Sequence, residues 1–106
     1  MKIDNLIRIG YFAVDSGQAI VGDPCYLDTW DTNEKDNWNL DGKEGQYSYQ
    51  GCSATTLKNS YGELGTYKAV AFSTGYGDGV YPVYVELNEE GYVASIVINF
   101  INEEEI

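Results

Sequence analysis

The chain has 106 residues, 17 acidic and 6 basic, a net charge of −11, two cysteines and no histidine. That length supports one domain with one core, spanning residues 1–106. The charge opposes nonspecific binding to nucleic acid or an anionic membrane, and the missing histidine removes Ser-His-Asp and Cys-His catalysis and most zinc sites.

Leu6 to Val14 (LIRIGYFAV) places apolar groups on both sides of an extended segment, and Asp15-Ser16-Gly17 is a turn signal. Gln18 to Gly22 is a second strand, so the two are expected to pair as a hairpin. Asp23-Pro24 ends that strand, because proline donates no N–H and restricts the residue before it. Residues 28–45 form an acidic loop. Trp30 and Trp38 are expected to pin it to the core, since a large ring buries much apolar area. Gln46 to Tyr49 and Cys52 to Leu57 read as strands, or the second as the opening of a short helix.

Tyr67 to Thr74 reads as a buried strand. Pro82 to Leu87 alternates, with Val83, Val85 and Leu87 inward. Asn88-Glu89-Glu90-Gly91 is a hairpin turn, with Gly91 suited to positive φ. Tyr92 to Ile101 is the last strand, with Ala94, Ile96, Ile98 and Phe100 on one face, and an acidic tail, 102–106, follows. The short spacing of strands predicts an all-β fold, an antiparallel sandwich or partly open barrel.

Chemistry-bearing residues gather at two turns. In Gly22-Asp23-Pro24-Cys25-Tyr26, Asp23 accepts backbone N–H groups of its own turn, or joins Asp78 as a carboxylate pair for a metal or for acid–base work. Cys25 and Cys52 have no cationic neighbour in sequence, so both are expected to be buried and slow to alkylate, in a reduced protein. In Gly75-Tyr76-Gly77-Asp78-Gly79, the glycines allow positive φ. The segment is a turn, or a loop whose amides face an anion. Asp31 to Asp36 approaches the spacing of a calcium loop. It lacks the glycine at its sixth position and the distal glutamate, so no metal or cofactor is expected.

The strings AVDSGQAIVGDPCYL (13–27), YSYQGCSATTL (47–57) and AVAFSTGYGDGVYPVYVELNEEGYVASIVINF (69–100) resemble a family of small uncharacterised bacterial and phage proteins. Its members carry an early DSGQ…DPCY motif and a late GYGDG-YPVY motif. The resemblance implies that Asp15, Gly17, Asp23, Pro24, Cys25, Gly77, Asp78, Gly79, Tyr81 and Pro82 are recurrent positions, and it carries over no activity.

Together these features favour a cytoplasmic binding module over an enzyme, with a phage-encoded antagonist of host defence as the specific expectation. No apolar run approaches the ~18 residues of a membrane span, and Met1-Lys2-Ile3-Asp4 lacks a signal-peptide core. Two routes are open. In one, Asp28, Asp31, Glu34 and Asp36 dock on a basic protein surface. In the other, a rim pocket made by Asp23, Cys25, Tyr26, Tyr76, Gly77, Asp78, Gly79 and Tyr81 sequesters a nucleotide-like ligand. The alternatives are a small hydrolase, metal-dependent or using Asp23, Asp78 and Cys25, and a structural virion or housekeeping protein.

Overall fold

The computed structural model describes residues 5–32 and 39–101. Glu34, Asp36, Trp38 and the acidic tail lie outside these residues. Six strands, β1 (Leu6–Val14), β2 (Gln18–Gly22), β3 (Tyr61–Leu64), β4 (Ala69–Ser73), β5 (Gly79–Leu87) and β6 (Val93–Val97), are joined by a 3-10 helix (Pro24–Thr29) and one α-helix, α1 (Tyr49–Asn59). The strands form two antiparallel three-stranded sheets, β1-β5-β6 and β2-β4-β3, and no closed barrel. This is the expected all-β class.

The expected β1–β2 hairpin does not form. Val14 pairs with Gly79 in the first sheet, whereas Gln18 pairs with Ser73 in the second. The ribbon made of β1–β2 running against β4–β5 therefore bends at one corner, where both chains change sheet together. Corners of this kind let two sheets cross without a broken ladder. The Asp15-Ser16-Gly17 turn signal is real, but it marks that corner instead of a hairpin loop.

The core cluster lies on one side of the second sheet. Tyr47, Cys52, Leu64, Ala69 and Ala71 are buried together, with Ile20 and Trp30 packed against them. The segment 49–59 is a helix because Ser48 caps it, its hydroxyl accepting from Gly51 N at 2.8 Å, and because the small residues Gly51, Cys52, Ser53 and Ala54 let it lie close to the sheet. Its buried residues mix Cys52 and Ala54 with the polar Gln50, Ser53 and Thr55, and the Gln18 side chain serves the helix: Nε2 donates to Ser53 Oγ (3.0 Å), and Oε1 accepts from Thr56 Oγ1 (2.7 Å). Buried polar groups are favoured when paired in this way, and Gln50 Nε2 on the same helix is the exception, buried without a hydrogen-bond partner among the described residues.

The β5–β6 turn is as expected, with Gly91 at φ 89° and Asn88 Oδ1 accepting from Glu90 N and Tyr92 N. Trp30 reaches the core edge-on against Tyr47, with centroids 4.9 Å apart, which fixes the start of the acidic segment as expected. Leu87, expected to face inward, is exposed instead, and so are Ala94 and Ile96, which were expected to share one face with Ile98 and Phe100. Ala94 is the extra residue where the β5–β6 register shifts.

Candidate functional site

The glycine loop is the second half of the corner. Asp78 Oδ1 accepts from Gly17 N at 2.8 Å, and Gly17 O accepts from Thr74 N at 3.0 Å. Thr74, fully buried, donates its hydroxyl to Gly77 O at 2.8 Å. The Tyr81 hydroxyl donates to the same carbonyl at 2.6 Å and lies 3.1 Å from Thr74 O. Gly77 has φ 119°, a backbone open to glycine and strained for any other residue. At Gly75 (φ 60°) a Cβ would sit 2.8 Å from Ile101, so close approach adds to the requirement there. The DSGQ and GYGDG strings meet in space, and most of what they supply is a cross-linked bend. Thr74, which completes it, was absent from the sequence-based candidates, as was Gln18, the last letter of DSGQ, whose side chain serves α1 instead.

The DPCY turn stands elsewhere. Gly17 and Asp23 flank the five residues of β2, so they are separated by about 17 Å or more of extended chain. Asp23 and Asp78 do not converge. The single rim of Tyr26, Tyr76 and Tyr81 is not formed, because antiparallel pairing sends the two turns to opposite ends of the sheet. Tyr81 packs instead on Phe12 and Phe100, with centroids 6.1 and 5.1 Å apart, while Tyr76 is exposed.

Asp23 caps the 3-10 helix, its Oδ1 accepting from Cys25 N at 2.9 Å, with Pro24 in the first turn where no N–H is needed. No residue of this helix is buried. Leu27 is 58% exposed, Tyr26 is partly exposed, and Asp28 and Asp31 are exposed beside them. Lys68 Nζ donates to Thr29 Oγ1 (2.9 Å) and stands 5.5 Å from the Tyr47 ring centroid, tying the helix to the second sheet.

Beside the helix a shallow groove of about 340 Å³ crosses the outer face of that sheet. Val21 and Val70, paired across β2 and β4 and each half-exposed, form its floor. Asp23 and Glu63 are among its lining residues, and so is the cationic Lys68. Gly22 is required here, since a Cβ would meet Lys68 O at 2.7 Å. The groove was not foreseen from the sequence: Val70 lies in the segment 67–74 expected to be a buried strand, and it is half-exposed. Among the described residues no three His, Cys, Asp or Glu side chains gather as a metal site.

Cys25 was expected to be buried and is exposed, whereas Cys52 is buried in the core. The 3-10 helix carries Cys25 on the surface because the helix is held at its far end, by the Lys68 bond to the Thr29 hydroxyl and by Trp30, and buries none of its own residues. Burial pushes the Cys52 thiol up to about 11. The folded state favours the neutral thiol, so this contribution to stability is whole below pH 9.0 and is lost as pH rises toward about 11. With a thiol reagent near neutral pH, Cys25 will react at the rate of an exposed thiol and Cys52 only on unfolding. Equal, slow reaction of both would contradict this placement.

The geometry defines a two-sheet antiparallel domain with one bent corner and an exposed, acidic, partly apolar flank. The chain belongs to the family described as "Protein of unknown function (DUF4241)", whose model matches residues 7–98. No curated protein and no solved structure matches it.

The corner carries its own prediction. Asp78→Ala will destabilise the fold by about 1 kcal/mol, the value of one partly solvated charge-assisted hydrogen bond. Thermal melts with divalent metals and a nucleotide panel will show no ligand-dependent shift in the wild type. A shift that vanishes in Asp78→Ala would make the corner a ligand site.

Proposed function

We propose that the chain is a binding module that docks on a basic protein surface through the 3-10 helix and the neighbouring groove. The observation that carries this reading is the combination of a helix with no buried residue, an apolar groove floor and carboxylates around both. A lysine or arginine side chain is itself an apolar stem with a cationic head. Val21 and Val70 suit the stem; Asp23 and Glu63 attract the head; Tyr26 and Leu27 add apolar contact; Asp28 and Asp31 add attraction at longer range.

Glu34 and Asp36 extend the same run of acidic sequence. Among the described residues no helix is long and apolar enough to cross a membrane. A phage-encoded antagonist of a host-defence protein, working in the cytoplasm of the host, is the specific role we assign to such a docking face. Its support is the small size and strong acidity of the chain.

The experiment is a titration of the protein with an oligolysine peptide containing interspersed leucines, followed by amide NMR. Signals of Val21, Glu63, Val70 and Leu27 will move together at low salt, and binding will weaken as salt is raised. Shifts spread evenly over the acidic surface, or none at the groove, would sink the assignment.

A further inference from the structure

We propose that Tyr67 makes the groove over Val21 and Val70 selective for arginine, its ring stacking on a guanidinium that Glu63 and Asp23 attract. This selectivity rests on the docking role proposed for the groove, and it narrows the partner's cation from any basic side chain to one. Tyr67 lies in the four residues, 65–68, that join β3 to β4. Its φ is 63°, a region that glycine occupies freely and a bulky residue rarely. Gly65, in the same turn, has φ 64° and shows what the backbone accepts where folding alone decides. Burial does not offset the strain at Tyr67, which is 86% exposed. Neither turn geometry nor packing calls for a tyrosine here, and a strained, solvated ring on the rim of a groove points to a ligand.

Charge in the groove favours a cation. Tyr67 is one of its lining residues, together with Asp23, Glu63 and Lys68. Glu63 Oε2 accepts from Tyr67 N at 2.8 Å, which fixes carboxylate and turn to each other. Asp23 Oδ1 accepts from Cys25 N at 2.9 Å, which fixes the other carboxylate. Each keeps a second oxygen for a ligand. Lys68 is the one cation in the lining, and its ammonium is already bonded to Thr29 Oγ1 at 2.9 Å. Two carboxylates against one committed ammonium leave the groove an excess of negative charge.

The ring then selects between the two basic side chains. A guanidinium is planar and weakly hydrated, stacks on an aromatic face and donates from its edge in a fixed fork, so one group engages ring and carboxylate together. A lysine ammonium is a compact, strongly hydrated point charge, and the ring adds less to its binding. A cation–π contact at an exposed site corresponds to about two- to fivefold in affinity.

Amide NMR titrations with two peptides test this: the oligolysine–leucine peptide, and its counterpart with every lysine replaced by arginine. The arginine peptide will bind the wild type about two- to fivefold more tightly, with shifts at Tyr67, Glu63 and Val70. Tyr67→Phe will keep that preference, and Tyr67→Gly will abolish it. Tyr67→Gly will melt within a few degrees of the wild type, since relief of the backbone strain offsets the added freedom of the unfolded chain. The bond to Glu63 comes from the backbone N–H and persists in that variant, so the carboxylate stays in place. Equal affinity of the wild type for both peptides, with shifts at the groove, overturns the selectivity and leaves the docking role standing. So does an arginine preference that survives in Tyr67→Gly, or a Tyr67→Gly that melts far below the wild type, which would give the ring a packing role. If neither peptide moves the groove signals, the docking role itself falls and the selectivity falls with it.

Discussion

Reversing Asp28, Asp31, Glu34 and Asp36 to lysine will slow association with the oligolysine–leucine peptide at least tenfold at low salt. It will leave the melting temperature nearly unchanged. The two effects separate because they have different physical origins. Exposed carboxylates each contribute little to folding, since water screens them and neither Asp28 nor Asp31 is buried. Their summed field nevertheless steers a cationic ligand and raises its encounter rate by roughly 10 to 1,000-fold, an effect that falls steeply with salt. Val70→Lys complements the test at the groove itself. It adds a cation to the floor, and it will raise the dissociation rate while leaving the encounter field mostly intact. An association rate unaltered by the fourfold reversal would remove the acidic segment from the docking face. Normal binding by Val70→Lys would remove the groove.

Gly51→Ala will destabilise the protein by about 3 kcal/mol or more, lowering the melting temperature by more than about 10 °C. Helix propensity alone argues the other way, because alanine is favoured over glycine in a helix by up to about 1 kcal/mol. The sign is decided by what the new methyl group meets. At Gly51 a Cβ would collide with the Gln46 carbonyl oxygen and would lie 2.7 Å from the carbonyl carbon and 2.9 Å from Cα of that residue. These are backbone atoms. Gln46 O also accepts from Ser48 N at 2.9 Å, and Ser48 caps the helix through Gly51 N. Displacing Gln46 therefore disturbs the cap as well as the packing. Gly10→Ala is the control: a Cβ there meets nothing within 4 Å, and the change will be close to neutral. If Gly51→Ala melts within a few degrees of the wild type, the close approach of α1 to the chain before it is not as described.

The inward position of Val85, the β5–β6 turn at Asn88–Gly91, the break at Asp23-Pro24 and the anchoring by Trp30 were all legible in the chain, whereas the inward position expected for Leu87 was not met. Each depends on neighbours a few residues apart, where pleat, turn geometry and a missing N–H act directly. The helix at 49–59 was only half legible. Its buried residues, Gln50, Gly51, Cys52, Ser53, Ala54 and Thr55, mix polar groups with small apolar ones, so no strong apolar stripe marks it, and Ser53 depends on a partner, Gln18, over thirty residues away.

The exposure of Cys25, the separation of Asp23 from Asp78 and the groove over Val21 and Val70 were not legible at all. All three depend on which strand pairs with which. The choice of β5 for β1, and of β4 for β2, is made by contacts some sixty residues apart, such as Gly17 with Asp78. By itself the sequence determined where the chain extends and turns. Tertiary structure alone decided that two motifs would close one corner and that Cys25 would stand on the surface, because pairing and burial are set by the whole chain and not by its local pattern.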